Sequence, residues 1–212
     1  MQNYIVYVQD TETTGLEPKI HEIIELSLLR LTLKETGFEP DQKTWLIKAL
    51  NPATIQDDAL AINGHKKEDI LWQTPFGREN YIKPSDAIIE IEDWIADDKM
   101  SAHDRVFAGQ NPMFDFEHMI ALWERCQSLD TFPFRTGFNK LIIDTMQLAL
   151  FFDICIGRKR EKYNLGSLIK DFGIKKEKAH RADADTRMTS DLLVKFIETC
   201  TPIVRDKFAK CE

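Results

Sequence analysis

The sequence predicts an α/β domain in which helices flank a mixed sheet. Three strand-like segments come first, and two more then alternate with amphipathic helical segments, an order typical of a layered α/β domain. A length of 212 residues with 43% hydrophobic side chains is sufficient for one domain with a sizeable core. We therefore predict a single domain over residues 1–212, with its core at about 4–198 and a short tail at 201–212.

The predicted strands are short apolar runs, β-branched in part and separated by turn residues. They are residues 4–8, 22–33, 44–50, 105–109 and 140–143. Turn signals at Glu17-Pro18 and Thr36-Gly37 separate the first three, which are expected to form a meander.

The predicted helices follow from apolar residues that recur with a helical period. They are residues 87–96, 114–127, 144–152, 165–172 and, as a long final helix, about 182–199. Loops at 73–84 and 128–139 are rich in aromatic residues, proline and glycine, and we expect them to be mobile or to face a substrate.

Charge and apolar content limit the classes of function. The net charge of −7 argues against broad, unspecific binding of polyanions. Residues 158–187, however, hold ten Lys or Arg against five Asp or Glu, which indicates either a solvated face or a rim that faces phosphates. No apolar stretch reaches the roughly 18 residues of a membrane span, and the first strand leaves no room for a signal peptide. We expect a cytoplasmic protein.

The cysteines show neither zinc-type spacing nor a disulfide framework. We interpret all four as reduced thiols that mostly serve packing: Cys126, Cys155, Cys200 and Cys211.

The strongest functional signal is the motif Asp-Thr-Glu-Thr-Thr-Gly at residues 10–15, directly after the first strand. Side chains alternate along extended backbone, so Asp10 and Glu12 project from the same side. Two carboxylates about 4 Å apart repel each other by about 4 kcal/mol at an effective dielectric constant near 20. This pair predicts a bound divalent cation with oxygen ligands.

A second acid begins the helix predicted at 114–127. Asp115 lies on the same helical stripe as Met119, Leu122 and Cys126, so it faces the core, whereas Glu117 points outward. A first-turn acid favoured by the helix dipole would explain the position of Asp115 but not its inward orientation. We interpret Asp115 as a site residue and Glu117 as a surface acid.

A third group precedes the final helix. Asp185 lies on the buried stripe of that helix, whereas Asp183 falls on the opposite face as an exposed first-turn acid. His180 stands five residues before Asp185, and its near-neutral pKa suits it to accept a proton from an attacking water.

Four converging carboxylates require compensation by raised pKa values or by cations. Oxygen ligands without cysteine or paired histidine favour Mg²⁺ or Mn²⁺ over zinc. Two such ions about 3.5–4 Å apart are the usual device of phosphodiester cleavage.

The set Asp10, Glu12, Asp115, His180 and Asp185 resembles the 3′→5′ exonucleases of the ribonuclease H-like fold that carry four acids and a histidine (the DEDDh type). The form of the first motif is most similar to the proofreading (epsilon) subunit of bacterial replicative DNA polymerase and its relatives; oligoribonuclease and ribonuclease T are more distant. The resemblance implies a five-stranded mixed sheet with its second strand antiparallel. It also implies two bound Mg²⁺ or Mn²⁺ ions and a single-stranded nucleic acid with a 3′ end as substrate.

The resemblance further implies roles for individual residues. The metal ligands would be Asp10, Glu12, Asp115 and Asp185, with His180 as the base. Thr13, Thr14 and Gly15 would present backbone groups to the terminal nucleotide, with Leu16 wedged against its base. Further substrate contacts would come from His65, Asn111 and Phe114. Asp144 matches an acid near the site in relatives, although an N-cap role also explains it.

Two features depart from the family pattern. Gln110 stands where many relatives have histidine, and we recognise no polymerase-binding tail at 201–212, which favours a stand-alone nuclease. Three functions stay open: a 3′→5′ exonuclease on single-stranded DNA in replication or repair, the same chemistry on RNA or short oligoribonucleotides, and a non-catalytic module that binds nucleic acid or a polymerase. A homodimer and a polymerase complex are the two assembly alternatives.

Overall fold

The computed structural model describes residues 4–34, 37–71, 80–138 and 140–208. The strands within these ranges are β1 (Ile5–Thr13), β2 (Ile23–Lys34), β3 (Gly37–Ile47), β4 (Tyr81–Ile82), β5 (Arg105–Gly109) and β6 (Ile142–Asp144). They form one sheet in the order β4-β3-β2-β1-β5-β6. β2 is antiparallel to β1 and β3, whereas β1, β5 and β6 run parallel. The predicted mixed α/β sheet with an antiparallel second strand is confirmed.

The prediction of five strands was one too few for the described residues. The additional strand, β4, has only two residues and pairs in parallel with the end of β3, where Leu46 faces Tyr81. It lies in the stretch predicted as a loop at 73–84, because two residues are too few to show a strand period. Residues 73–79 of that loop lie outside the described residues.

β1 and β3 are longer than their apolar runs because strand pairing continues past the apolar residues. The ladder between β2 and β3 runs from Glu25 opposite Leu46 to Lys34 opposite Gly37. In the same way β1 pairs with β2 as far as Thr13. Residues 10–13 of the first acidic motif therefore lie within the central strand and not after it.

The helices are α1 (Asp57–Asn63), α2 (Lys67–Ile70), α3 (Pro84–Ala96), α4 (Pro112–Arg125), α5 (Pro133–Thr136), α6 (Thr145–Cys155), α7 (Leu165–Asp171) and α8 (Ala182–Phe208). α1, α2 and α5 were not predicted, because segments of four to seven residues show little helical period. α8 continues over residues 201–208, which were expected as a tail.

The two faces of the sheet pack against different helices. Ile5 and Tyr7 of β1 belong to the core cluster that includes residues of α3 and α4. Val6 and Val8 belong to a cluster with Leu193 of α8. Since side chains alternate along a strand, the even-numbered residues at the end of β1 face α8 and the odd-numbered ones face α4. This alternation sets the geometry of the candidate site.

The described part of the loop predicted at 128–139 places three aromatic residues in the core. Phe132, Phe134 and Phe138 are buried in the core, and the ring of Phe134 packs edge-on against Phe107 at a centroid distance of 5.0 Å. The aromatic residues that indicated an exposed loop serve the core instead.

Two further observations concern the described ranges as a whole. None of their helices combines the length and the apolar content that a membrane span needs. Cys126, Cys155 and Cys200 are free thiols, and Cys211 lies outside the described residues.

Candidate functional site

Three acids meet where the end of β1 faces the start of α8. One carboxylate oxygen from each of Asp10, Glu12 and Asp185 lies within 4.8 Å of the other two. The period of the strand places the first two on the face toward α8, and the first turn of α8 supplies the third. Such a cluster of hard oxygen donors fits a divalent cation.

Asp115 reaches the site from the other side of β1. It is buried in the first turn of α4, and its Oδ1 accepts hydrogen bonds from the amide of Thr11 at 2.9 Å and from its Oγ1 at 2.6 Å. It is outside the group of three acids that lie within 4.8 Å of one another in the described part of the chain. The four predicted ligands thus form a cluster of three with an anchored fourth acid beside it.

Burial raises the pKa of each of the four predicted acids, and the charges of neighbouring acids raise it further at Asp10 and Glu12. Burial is the largest cause of the raised pKa of Asp10, followed by the charges of Asp115, Glu12 and Asp185. Burial, then Asp185 and Glu25, raise the pKa of Glu12 to about 8. Burial raises the pKa of Asp115 to about 6 and also raises that of Asp185. Without a cation Glu12, with its pKa near 8, holds a proton at neutral pH, so a divalent ion would replace that proton when it binds.

The proposed base lies on an exposed turn immediately before α8. His180 adopts a left-handed conformation with φ of 61°. Its amide donates a hydrogen bond to Oδ2 of Asp185 at 2.9 Å, which ties the turn to a predicted metal ligand. Its role as a base stays a prediction.

A fifth acid, which the sequence did not single out, lies against this cluster. Glu25 of β2 stands opposite Glu12 in the ladder and is fully buried. Its Oε2 lies 2.8 Å from Nε2 of His65 and 3.3 Å from Nε of Arg181. The available signal was an acid in the middle of an apolar strand, which is unusual unless the acid is paired.

His65, a predicted substrate contact, has both ring nitrogens bonded within the protein, and its role toward a substrate stays a prediction. One ring nitrogen lies 2.8 Å from Glu25 and the other lies 2.5 Å from the hydroxyl of Tyr81. Both polar atoms of the ring are therefore used inside the protein. The neighbouring Asn63, which was not predicted, donates from Nδ2 to the carbonyl of Thr13 at 3.1 Å and so supports the first motif.

The residues after Glu12 form a tightly bonded turn. The amide of Thr14 donates to the carbonyl of Glu22, and its carbonyl accepts from the amide of Gln56, each at 2.9 Å. Both backbone groups of Thr14 are thus bonded within the protein, and their role toward a nucleotide stays a prediction. The Oγ1 of Thr13 donates to the carbonyl of Gly15 at 2.6 Å.

Glycine is needed at position 15 because the ring of His21 lies against it. A Cβ at Gly15 would stand 2.4 Å from Cδ2 of His21. The turn is packed too closely for any side chain there. Its part in binding a nucleotide, like that of Thr13, stays a prediction.

The remaining predicted contacts surround the cluster. Leu16 is 75% exposed, as a wedge against a base would require. Phe114 stacks on His118 with ring centroids 4.4 Å apart, and Asn111 is an exposed residue with φ of 55° before α4. The substrate roles of Leu16, Phe114 and Asn111 stay predictions.

Gln110 and Asp144 both join the ends of neighbouring elements. Gln110 donates to the carbonyl of Tyr163 at 2.7 Å and accepts from Oγ1 of Thr145 at 2.5 Å. Asp144 caps α6, where its Oδ1 accepts from the amide of Met146 at 2.9 Å. These contacts give both residues a structural role.

The basic stretch at 158–187 divides by residue type. Its arginines form ion pairs, namely Arg158, Arg160, Arg181 and Arg187. Its lysines are exposed, namely Lys159, Lys162, Lys170, Lys175, Lys176 and Lys178. Asp183, expected as a free surface acid, is half-buried and pairs with Arg187 at 3.1 Å.

A mixed sheet whose central strand carries acids opposite an acid on the last helix defines a carboxylate-dependent nuclease of the ribonuclease H-like class. A family model described as an exonuclease (RNase_T) matches residues 7–193, and the chain belongs to this exonuclease family. The predicted family and enzyme class are confirmed.

The chain is similar to two polymerases and two solved exonucleases. It is 26% identical over 206 residues to the "DNA polymerase III PolC-type" of Thermotoga maritima, covering 97% of this chain and 13% of the relative. The PolC-type polymerase of Staphylococcus aureus strain bovine RF122 is 25% identical, with 92% and 11% covered. The zinc-bound complex of E. coli exonuclease I with single-stranded DNA has a TM-score of 0.73 at 19% identity, with 98% and 43% covered.

The second solved neighbour is exonuclease I from Methylocaldum szegediense, with a TM-score of 0.72 at 20% identity. The match covers 97% of this chain and 43% of that exonuclease. At these identities the solved structures support the fold alone. The chain spans under one seventh of the length of the polymerases and under half of that of the solved exonucleases.

Proposed function

We propose that this chain is a metal-dependent 3′→5′ exonuclease that removes nucleotides from single-stranded DNA and releases 5′-monophosphates. The observation that carries the proposal is the convergence of Asp10, Glu12 and Asp185 within 4.8 Å, on a chain of the exonuclease family. DNA as substrate is supported by the names of the relatives, which are DNA polymerases, and by a structural neighbour bound to single-stranded DNA.

The acid cluster fits two divalent cations, Mg²⁺ or Mn²⁺. Asp10, Glu12 and Asp185 would hold the first ion, and Asp10 with Asp115 would hold the second. Bound ions would stabilise the negative charge that develops on the phosphate oxygens. The raised pKa values of the acids support this assignment, because an uncompensated cluster of buried carboxylates is otherwise unfavourable.

The chain's own residues orient the substrate and move the proton. His180 would accept a proton from the attacking water, whose oxygen forms a bond to the phosphorus of the terminal phosphodiester. The bond to the 3′ oxygen of the preceding nucleotide breaks, and the terminal nucleotide leaves with a 5′-phosphate. Leu16 would pack against the terminal base, and the exposed lysines of residues 158–187 would attract the backbone phosphates.

The test is digestion of single-stranded DNA and RNA of one sequence, labelled at either the 5′ or the 3′ end. We expect stepwise shortening of 5′-labelled DNA and immediate release of a labelled mononucleotide from 3′-labelled DNA, only with Mg²⁺ or Mn²⁺. Faster digestion of the RNA would assign the second of the predicted substrates. Binding without metal-dependent cleavage would assign a non-catalytic module.

The matched variants are Asp10→Ala and Glu117→Ala. We expect Asp10→Ala to lower the cleavage rate by about 1,000-fold or more, because an acid is lost from the cluster. Glu117 is an exposed acid on α4 close in sequence to Asp115, and its removal should leave the rate unchanged. Equal rates for wild type and Asp10→Ala would overturn the proposed site.

Location and assembly are parts of the proposal that need separate measurements. A cytoplasmic location is expected for an enzyme that acts on nucleic acid. Light scattering on the purified chain distinguishes a monomer from a homodimer, and co-purification with a replicative polymerase tests the polymerase complex that the relatives suggest.

A further inference from the structure

A buried charge cluster lies beside the acid site and has no part in the chemistry described above. Glu25 is fully buried next to Glu12, and its Oε1 makes no hydrogen bond within the described residues. Its Oε2 lies 3.3 Å from Nε of Arg181, a contact between opposite charges in which Nε makes no hydrogen bond within the described residues. A buried carboxylate among other acids needs a cationic partner, and Arg181 supplies that charge.

Arg181 occupies the position that joins the proposed base to a predicted metal ligand. It follows His180 directly, and its carbonyl accepts from the amides of Ala184 at 3.0 Å and Asp185 at 2.9 Å, so it caps α8. The left-handed conformation of His180 costs a non-glycine residue on the order of 1 kcal/mol and must be held by its surroundings. Arg181 directly follows His180 and pairs with Glu25 of β2. This pair therefore connects the His180 turn to the sheet.

We propose that Glu25 and Arg181 are positioning residues for the exonuclease reaction, whose ion pair fixes the His180 turn against the sheet and so places the His180 ring. This inference rests on the proposed function. The pair links the central sheet, which carries Asp10 and Glu12, to the segment that carries His180 and Asp185. His180 is thereby held at a fixed position relative to the acid cluster.

A direct substrate contact by Arg181 is the competing explanation. Arg181 also lines a cavity of about 180 Å³ together with Lys66 and Lys178, which a phosphate could enter. A substrate contact acts on binding and raises KM, whereas a positioning residue acts on the orientation of the base and lowers kcat.

The experiment measures kcat and KM on single-stranded DNA for Arg181→Ala, Glu25→Gln and a matched control. The control is Glu177→Gln, which alters another glutamate–arginine pair, with Arg187 of the same helix. We expect Arg181→Ala to lower kcat by about 100-fold and to change KM by less than about threefold. Glu25→Gln should lower kcat by about tenfold, and Glu177→Gln by less than about twofold.

A double variant that also carries His180→Ala distinguishes a positioning role from a loss of stability. If the pair acts through His180, adding Arg181→Ala to His180→Ala should lower the residual rate by less than about twofold. An independent further loss would overturn the inference, as would a raised KM with unchanged kcat.

Hydrogen exchange at the His180 amide gives a readout that does not depend on activity. Its bond to Asp185 should open more often in Arg181→Ala, so exchange should accelerate, while Glu177→Gln should leave it unchanged. Unchanged exchange in Arg181→Ala would overturn this inference by itself. A wild-type chain without metal-dependent cleavage would instead overturn the proposed function.

Discussion

Partly buried acids at the two ends of the central strands have opposite pKa shifts. At the site end, burial and neighbouring acids raise the pKa of Asp10 and Glu12. At the other end, burial acts to raise the pKa of Asp98, but hydrogen bonds from Arg105, Tyr7 and the amide of Met100 outweigh it and lower that pKa. Arg105 compensates Asp98 through direct hydrogen bonds, whereas burial and the charges of neighbouring acids dominate the pKa of Asp10. Burial alone therefore does not identify a functional acid; missing compensation does.

The largest effect that this comparison predicts is for Asp10→Asn. The variant should lose about 1,000-fold or more in cleavage rate, because a proposed metal ligand is lost. Without metal it should also unfold at a higher urea concentration than wild type at pH 8. Wild type must either protonate Asp10 or keep it charged among other acids when it folds, and the variant avoids this cost of about 1–3 kcal/mol in the free energy of unfolding. Urea titrations in EDTA measure the change. A metal-free variant less stable than wild type would show that these acids are compensated within the protein.

Asp98→Ala should have the opposite profile. Asp98 is 2% exposed and is bonded to Arg105 and Tyr7, so its removal leaves a buried guanidinium without a counter-charge. We expect a loss of about 3–5 kcal/mol in the free energy of unfolding. Arg105 begins β5 at the end of the sheet away from the site, so kcat should stay at the wild-type value wherever the variant is folded. A large fall in kcat of the folded variant would mean that the two ends are coupled.

The pH dependence of metal-free stability is the next largest effect. Burial raises the pKa of Glu12 from 4.5 to about 8, so the folded state holds a proton that the unfolded chain releases. Stability should therefore fall as pH rises from about 7 to 8.5, with the melting temperature dropping on the order of 5 °C. Because the pKa of Asp98 is lowered, Asp98 affects the pH dependence of stability only at acidic pH. Burial lowers the pKa of His118, so His118 affects stability only below about pH 6.5.

Differential scanning calorimetry of wild type and Glu12→Gln in EDTA isolates this contribution. The variant should show a smaller slope between pH 7 and 8.5, and Mn²⁺ should remove the slope in wild type. Identical slopes for both proteins without metal would contradict the raised pKa of Glu12.

The sequence was sufficient to predict the four site acids, because their spacing within a strand or a helix determines which face each side chain occupies. The alternation of a strand places Asp10 and Glu12 on one face, and the period of a helix directs Asp115 and Asp185 inward. It also predicted the class of sheet and the exonuclease family. These signals are local, so no tertiary contact had to be known.

Tertiary contacts explain the residues that sequence patterns did not predict or placed differently. Glu25 joins the site only because β2 pairs with β1 in one register, and His65 turns inward because Glu25 and Tyr81 bind its ring. Phe132, Phe134 and Phe138 belong to the core because they pack against α4 and the sheet. Cross-strand register and long-range packing are not encoded in the spacing of a single segment.

The smallest expected effect comes from an exposed pair of the same chemistry. Glu177 and Arg187 lie 2.7 Å apart, but their side chains are 35% and 38% exposed. Water competes for both charges, so Glu177→Gln should cost about 0.5 kcal/mol in the free energy of unfolding, against several for Asp98→Ala. Urea titrations of both variants in 150 mM salt, about the physiological ionic strength, give the difference. Equal losses would mean that contact with an arginine alone, and not the exclusion of water around the pair, determines how much a carboxylate contributes to the free energy of unfolding of this protein.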